Sequence, residues 1–362
     1  MVMLTTAAIV QNETLSDQGR EDDEKAEDDD DTTTADEEDR LVHSQQQQPP
    51  PRLGDGCYHV FIDVGANIGV HGRFLYEPEK YPESWSAVQL FEQEYGTNRT
   101  NEDYCVFAIE ANPSHWPRLE TVAAAYRQHE HGWSYTVIPA GASDQNGTMT
   151  FYKQGGHDDR VNNEWGFSNV HDYRNQTAKV TNPSESIITV PAIRLSDWLH
   201  YHIFQRRIPE VPPSYIEEQQ QHTTLSLPPS PPPKPKLGMK MDIEGSEYTV
   251  FPDLIHTGTA CRFDFIFGEF HSMFGHVDPL DGHRIPLTSI KELQEYEWAL
   301  KTVLQAARQC PVQWFSIDDE SYLHDGQPLP GHDEETRQHG TIREDNGNNN
   351  TTDSDTERAN RR

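Results

Sequence analysis

The sequence predicts an α/β fold in which a doubly wound, mostly parallel sheet is covered by helices on both faces. Short apolar runs rich in β-branched and aromatic residues alternate with helical stretches along the chain, which is typical of such a sheet. Several of these runs end on an acidic residue or on a turn of small residues. Because open parallel sheets bind ligands beyond the carboxyl ends of their strands, these residues are candidates for a functional site.

The hydrophobic pattern divides the chain into strands and helices. Strong strands are predicted at 59–64, 104–111, 134–143, 237–245, 262–271 and 312–318. Two further segments alternate in polarity like strands of an added hairpin or sheet edge, at 147–153 and 186–194. Helices are predicted at 115–129, 195–204, 247–258 and about 288–308.

Composition places these elements in one domain, residues 57–330. Residues 1–56 contain acidic runs and a Gln-Pro stretch, and residues 331–362 are polar throughout. Neither segment can bury enough apolar surface to offset the entropy of ordering, so both are predicted to be disordered tails. Two stretches inside the domain resemble insertions: about 76–103, and the proline-rich 208–236.

The charge and hydropathy of the chain narrow its partners. The formal net charge is −31. Residues 1–40 contain 15 acidic and 3 basic residues, and no basic stripe is visible along the chain. Nucleic acid is not expected as a partner, since phosphate binding needs clustered Lys and Arg. No stretch approaches the roughly 18–20 apolar residues of a membrane span, and the N-terminal residues lack the basic region of a signal peptide. The sequence therefore predicts a soluble protein, cytoplasmic, or in the secretory pathway if the N-terminus is incomplete.

The cysteines and the glycosylation triplets carry little information by themselves. Four cysteines are scattered at positions 57, 105, 261 and 310 without metal-like spacing, and the expectation is free thiols. Asn-X-Ser/Thr triplets begin at positions 12, 98, 146, 175, 349 and 350. Such triplets are common by chance and indicate glycosylation only in a secreted context.

The turn after the first strand indicates the kind of ligand. Asp63, Gly65, Asn67 and Gly69 follow an apolar run, and the glycines allow a ligand to approach the backbone closely. The spacing matches neither the dinucleotide fingerprint nor a P-loop. A carboxylate in this turn would repel a pyrophosphate, so the expected ligand carries a cation and ribose hydroxyls, as S-adenosylmethionine does.

The second and third strands end on further candidates for cofactor binding. Glu110 stands where an acid can accept both ribose hydroxyls, and Asn112 lies two residues beyond it. Ser143 and Asp144 follow the third strand, where the edge of an adenine would reach. A local turn would also explain Asp144.

The fourth and fifth strands end on the candidates for catalysis. Asp242 and Glu244 crowd the turn before the next helix, with Glu247 close behind, and like charges there are hard to justify by structure alone. Glu269 and His271 follow the fifth strand, and His271 is a candidate general base. No ligand spacing compels a metal, so a divalent cation is possible but not implied.

Together these segments resemble the motif series of FkbM-type S-adenosylmethionine-dependent methyltransferases, over roughly residues 59–271. The series is FIDVGANIGVHG, FAIEANPSHW, IPAGASDQNG, IRLSDWL, KMDIEGSEYTVF and FIFGEFH. The resemblance implies a seven-stranded Rossmann-like sheet and O-methylation of a hydroxyl on a carbohydrate, another small molecule or a glycolipid. It implies Asp63, Gly65 and Gly69 at the methionine end of the cofactor. It also implies Glu110 at the ribose and Asp144 near the adenine.

Two other functions remain open on the sequence. A non-catalytic interaction module could keep the fold and use the insertions and tails for protein contacts. An NAD-dependent oxidoreductase is the other, although the acid in the first turn and the glycine spacing disfavour it. The acceptor and the oligomeric state are left open.

Overall fold

The computed structural model describes residues 50–81, 85–96, 99–153, 167–168, 187–213, 215, 234–271, 290–307, 309–317 and 325–330. The C-terminal tail predicted at 331–362 lies outside these residues, and so does the N-terminal tail up to residue 49. Most of the proline-rich stretch predicted as an insertion also falls outside them.

The described residues contain strands and helices at nearly all of the predicted places. The strands are β1 His59–Val64, β2 Tyr104–Ile109, β3 Ser134–Ile138, β4 Gly141–Ser143, β5 Gly147–Lys153, β6 Phe167–Ser168, β7 Ile187–Arg194, β8 Leu237–Met241, β9 Phe265–Gly268 and β10 Gln313–Ser316. The α-helices are α1 Val70–Tyr76, α2 Trp85–Tyr95, α3 Trp116–Gln128, α4 Leu195–Leu199, α5 Glu247–His256 and α6 Ile290–Ala306. A π-helical turn, His200–Phe204, continues α4.

The central sheet is parallel throughout and has the order β10-β9-β8-β1-β2-β3. The reversal of strand order beside β1 is the switch point at which doubly wound sheets open a crevice for ligands. Within the described residues this sheet has six strands, whereas the resemblance implies seven. The predicted α/β class and parallel sheet are confirmed.

A second sheet, of order β4-β7-β5-β6, accounts for the segments predicted as an added hairpin. β5 and β7 pair antiparallel, whereas β4 pairs parallel to β7. The single strand predicted at 134–143 is therefore wrong, because it divides into β3 and β4, which belong to different sheets. Pro139 lies between them and has no N–H to continue the ladder.

The two faces of the central sheet bury separate apolar clusters. Val60, Ile62 and Val64 point into one cluster, which α4, α5 and α6 complete. Phe61 points into the other, which α1, α2 and α3 complete. This alternation along β1 places helices on both faces, as predicted.

The stretch predicted as an insertion at 76–103 contributes to the core of the domain. It contains α2, whose Leu90 and Phe91 are buried against the sheet. The ring of Phe91 lies 4.9 Å from that of Phe61 on β1, edge to face. Such aromatic pairs add to the burial of apolar area, so α2 is part of the core.

The cysteines are also paired, contrary to the expectation of free thiols. Disulfides join Cys57 to Cys105 and Cys261 to Cys310, and no free cysteine remains among the four. Scattered spacing hid this pairing, because the partners are brought together by neighbouring strands and not by sequence proximity. Among the described helices, none is both long and apolar enough to cross a membrane.

Candidate active site

An open cleft lies beyond the carboxyl ends of β1, β2, β3 and β8, with an empty volume of about 570 Å³. Its walls come from the ends of these strands and the turns that follow them, from β4, from His115 before α3 and from one side chain of β5. The lining residues are Gly65, Asn67, Ile109, Glu110, Ala111, His115, Ala140, Gly141, Ala142, Phe151, Asp242, Ile243, Glu244 and Ser246. Three of the lining side chains are carboxylates, and all three follow strands of the central sheet.

The turn after β1 forms the floor of the cleft, and it requires glycine at position 65. Gly65 has φ 77°, and a Cβ there would lie 1.8 Å from the carbonyl oxygen of Asp242. Its N–H donates to the carbonyl of Ile109, 2.9 Å away. The turns after β1 and β8 therefore touch backbone to backbone, and no side chain fits between them.

Glu110, at the end of β2, is fixed by the backbone of two turns. One carboxylate oxygen accepts from the Asn67 N–H at 2.6 Å and the other from the Asn112 N–H at 2.7 Å. Each oxygen keeps a second lone pair. The carboxylate is thus oriented before any ligand binds and can still accept hydrogen bonds from the cleft.

Besides Asp63, four of the predicted cofactor residues do not line the cleft. Gly69 precedes α1, where a Cβ would lie 2.6 Å from the Tyr135 hydroxyl oxygen. Asn112 is buried, and its side-chain oxygen accepts from the Ser114 N–H at 3.0 Å. Ser143 and Asp144 directly follow the lining segment 140–142.

Asp63 is fully buried behind the turn and not in the wall of the cleft. Its register partner on β8 is Lys240, which is itself 3% exposed. The Lys240 ammonium lies 3.9 Å from a carboxylate oxygen of Asp63 and 3.1 Å from one of Asp242. It also donates to the Gly65 carbonyl at 2.6 Å.

These contacts, together with burial, determine the protonation states of Lys240 and Asp63. Burial lowers the pKa of Lys240, but Asp242 and Asp63 outweigh it, so the pKa lies above its ordinary value and the ammonium is charged. Burial raises the pKa of Asp63 to about 7. Lys240 thus joins the turn after β1 to the turn after β8.

His271 lies at the centre of the acids that follow β8 and β9. Its Nδ1 is 2.9 Å from Glu247 and its Nε2 is 2.7 Å from Glu269. Nε2 also lies 3.6 Å from Asp242 and 3.5 Å from Glu244. Glu247 in turn accepts from the N–H groups of Ile243 and Gly245, at 2.8 and 2.9 Å, and so fixes the turn.

The acids around His271 change its chemistry and theirs. Burial lowers the pKa of His271, but Glu247, Glu269 and Glu244 outweigh it and raise the pKa to about 12. Burial raises the pKa of Glu244 to about 8, and the neighbouring acids add to this. Asp242 is also desolvated, yet Lys240 and His271 keep its pKa below the ordinary value. With this pKa His271 is an imidazolium at neutral pH, and an imidazolium has no lone pair to accept a proton, which disfavours the predicted role of general base.

Comparison with models of protein families shows to which family the chain belongs. The family model of the methyltransferase FkbM domain matches residues 63–285. This match covers more than half of the chain and includes Asp63, Glu110, Asp242 and His271. The chain belongs to the FkbM methyltransferase family.

Comparison with individual proteins gives distant similarity only. The crystal structure of methyltransferase FkbM from Methylobacillus flagellatus KT is 14% identical, with a TM-score of 0.23. The match covers 55% of this chain and 29% of that one, so this FkbM chain corresponds to less than a third of that protein's length. No curated protein matches the chain.

The FkbM domain contains a set of side chains that could hold a cation. Asp242, Glu269 and His271 each offer a ligand atom, and these atoms lie within 4.8 Å of one another. Carboxylates with one imidazole suit a divalent metal. Both imidazole nitrogens already contact carboxylates, however, so a metal would have to displace Glu269 from Nε2.

Sequence reasoning missed three residues of the FkbM cleft and its support. Lys240 was hidden in an apolar run, although a charge in the middle of a buried strand signals an ion-pair partner. Phe151 enters the cleft from the second sheet, and no local pattern reveals that. His115 lines the cleft just before α3, with Nδ1 3.6 Å from Glu110.

Proposed function

We propose that this FkbM protein transfers a methyl group from S-adenosylmethionine to a hydroxyl oxygen of a carbohydrate, another small molecule or a glycolipid. One observation carries the proposal. The cleft contains Glu110, Asp242 and Glu244 but no lysine or arginine among its described lining residues. Such a wall favours a ligand with positive charge and hydroxyls over a phosphate. It therefore also disfavours a nicotinamide dinucleotide.

The residues present fit the cofactor. S-adenosylmethionine supplies a methyl group already activated by its sulfonium. Glu110, held by two N–H groups, would accept the ribose hydroxyls with its remaining lone pairs. Asp242 and Glu244 would lie at the positively charged end, while segment 140–142, which lines the cleft just before Ser143 and Asp144, would lie on the adenine side.

Glu244 is the proposed general base for the acceptor hydroxyl. It lines the cleft, and its pKa of about 8 lies close to working pH, where a carboxylate is most effective in proton transfer. His271 would position Glu244, Asp242 and Glu269 through its charge. Glu247 would hold His271 in turn, since its fully buried carboxylate contacts Nδ1 of the imidazole ring.

Cofactor binding is tested by calorimetry with S-adenosylmethionine and with NAD⁺. We expect one site for S-adenosylmethionine and none for NAD⁺. Glu110→Gln should weaken binding about tenfold to a hundredfold, because the amide replaces one charged acceptor with a donor that faces a backbone N–H. Glu120→Gln, at an exposed position of α3, is the control and should bind normally. Binding of NAD⁺ alone would overturn the proposal.

The base is tested by the pH dependence of kcat/KM, with a panel of carbohydrate, lipid and small hydroxyl acceptors. Glu244 must be ionised to act, so kcat/KM should rise with pH through about 8. Glu244→Gln should remove this limb and lower kcat/KM by about 10²–10⁴-fold. A limb near pH 6.5 that disappears in His271→Gln would instead assign the base to the histidine. Arms with Mg²⁺ and with EDTA show whether Asp242, Glu269 and His271 hold a metal.

A further inference from the structure

The two disulfides occupy equivalent places in the fold. Cys57 lies two residues before β1, Cys105 is the second residue of β2, and β1 and β2 are parallel neighbours. Cys261 and Cys310 precede the parallel neighbours β9 and β10. Both disulfides therefore join adjacent strands at their amino ends, which is the sheet edge opposite the cleft. This placement is structural and not catalytic.

Pairing of all four cysteines indicates where the chain folds. Structural disulfides form and persist in oxidising compartments and are rare where thiols are kept reduced. Each bond forms when two thiols lose two protons and two electrons to the disulfide of a thiol–disulfide oxidoreductase, which leaves as a dithiol. A chain that uses every cysteine in this way fits the lumen of the secretory route or the cell exterior.

An independent feature of the fold suits the same compartment. Asn146 ends the turn between β4 and β5, Gly147 and Thr148 begin β5, and all three residues are exposed. The Asn146 side-chain oxygen accepts from the Arg194 N–H at 2.8 Å. That bond orients the amide and uses Oδ1, while Nδ2 is the atom that an N-linked glycan needs. Asn146 is the triplet asparagine found among the described residues; the other five lie outside them.

We propose that the chain matures in an oxidising compartment and carries an N-linked glycan on Asn146. In that reaction Nδ2 loses one proton and bonds to the anomeric carbon of a sugar, whose lipid-diphosphate leaves. The hydrogen bond from Arg194 survives, because Oδ1 is unchanged. The inference does not depend on methyl transfer, and neither of its measurements involves activity.

The test uses protein isolated from the cells that make it. The cells are lysed in N-ethylmaleimide, which blocks any free thiol. Peptide mapping without reductant should show Cys57 linked to Cys105 and Cys261 linked to Cys310, with no maleimide on any of the four. The Asn146 peptide should be heavier by one glycan and should lose it to a glycosidase. Maleimide on the four cysteines at lysis would overturn the compartment, and an unmodified Asn146 would overturn the glycan.

Variants of the full chain made in the same cells separate the glycan from folding. Thr148→Ala removes the triplet, but the Asn146 side chain can still accept the hydrogen bond from the Arg194 N–H. This substitution should lower the mass of the protein by that of one glycan. Thr148→Ser keeps the triplet and should keep the glycan. Equal masses for the two variants after correction for the substitutions would contradict the assignment.

Discussion

At the scale of single residues, Lys240 is the group on which the candidate site depends most. It is a buried cation between two carboxylates, and it also binds the carbonyl of the turn after β1. Removing one partner of a buried ion pair leaves the other charge unpaired in a poorly solvated place. Lys240 thus has a structural and an electrostatic role, although it does not itself line the cleft.

Lys240→Met should lower the free energy of unfolding by about 3–5 kcal/mol, because Asp63 and Asp242 lose their buried cation. Urea unfolding measures this loss. Lys291→Met is the control: its side chain is 83% exposed, so it should change stability little. The double variant Lys240→Met/Asp63→Asn should recover part of the loss. Equal stabilities for the two single variants would show that Lys240 is not the partner of these acids.

The site residues that could be predicted from the sequence are those marked by their own neighbours along the chain. Glu110, Asp242 and Glu244 directly follow buried strands, and each lines the cleft as its position predicts. The pKa of His271 could not be read, because it depends on Glu244 and Glu247, which the turn after β8 brings to its ring. Lys240 was missed for the same reason, since its partner Asp63 belongs to another strand.

At the scale of elements, the turn after β1 and the turn after β8 behave as one unit. Strand positions were predictable because parallel strands buried on both faces are near-continuous apolar runs. The division between β3 and β4 and the packing of α2 depend on contacts with other strands and helices, so the local pattern of residues could not reveal them. The contact between the two turns is likewise non-local, and a single glycine tests it.

Gly65→Ala should destabilise the protein and abolish cofactor binding. The positive φ at position 65 should lower the free energy of unfolding by about 1–2 kcal/mol once the residue carries a side chain. Separating the added Cβ from the Asp242 carbonyl should lower it by about 1–3 kcal/mol more. Gly132→Ala is the matched control, since Gly132 also has positive φ, at 66°, but a Cβ there would meet nothing within 4 Å. Urea unfolding and calorimetry compare them. If both lose the same stability, the close contact between the turns is not what requires glycine.

At the scale of the whole molecule, the C-terminal segment 325–330 is tied to the first helix by Arg73. This guanidinium is fully buried. It donates to Asp325 at 2.8 Å, to the Pro328 carbonyl at 2.8 Å and to Glu77 at 3.0 Å. Asp325 also accepts from the Tyr81 hydroxyl at 2.8 Å. These bonds give a physical reason to include residues 325–330 in the domain, whose limit at residue 330 stays a prediction from composition.

Two truncated chains test that limit. A chain ending at residue 330 keeps every partner that Arg73 has among the described residues, so its free energy of unfolding should match that of the full chain. A chain ending at residue 324 loses Asp325 and the carbonyls of Gln327 and Pro328, and it should be less stable by about 3–5 kcal/mol, because Glu77 is then the one carboxylate that the described residues leave beside the Arg73 guanidinium. Urea unfolding of both chains, with Asp325→Asn in the full chain as a third sample, separates loss of charge from loss of the segment. Equal stability of the two truncated chains would mean that residues 325–330 do not belong to the folded domain.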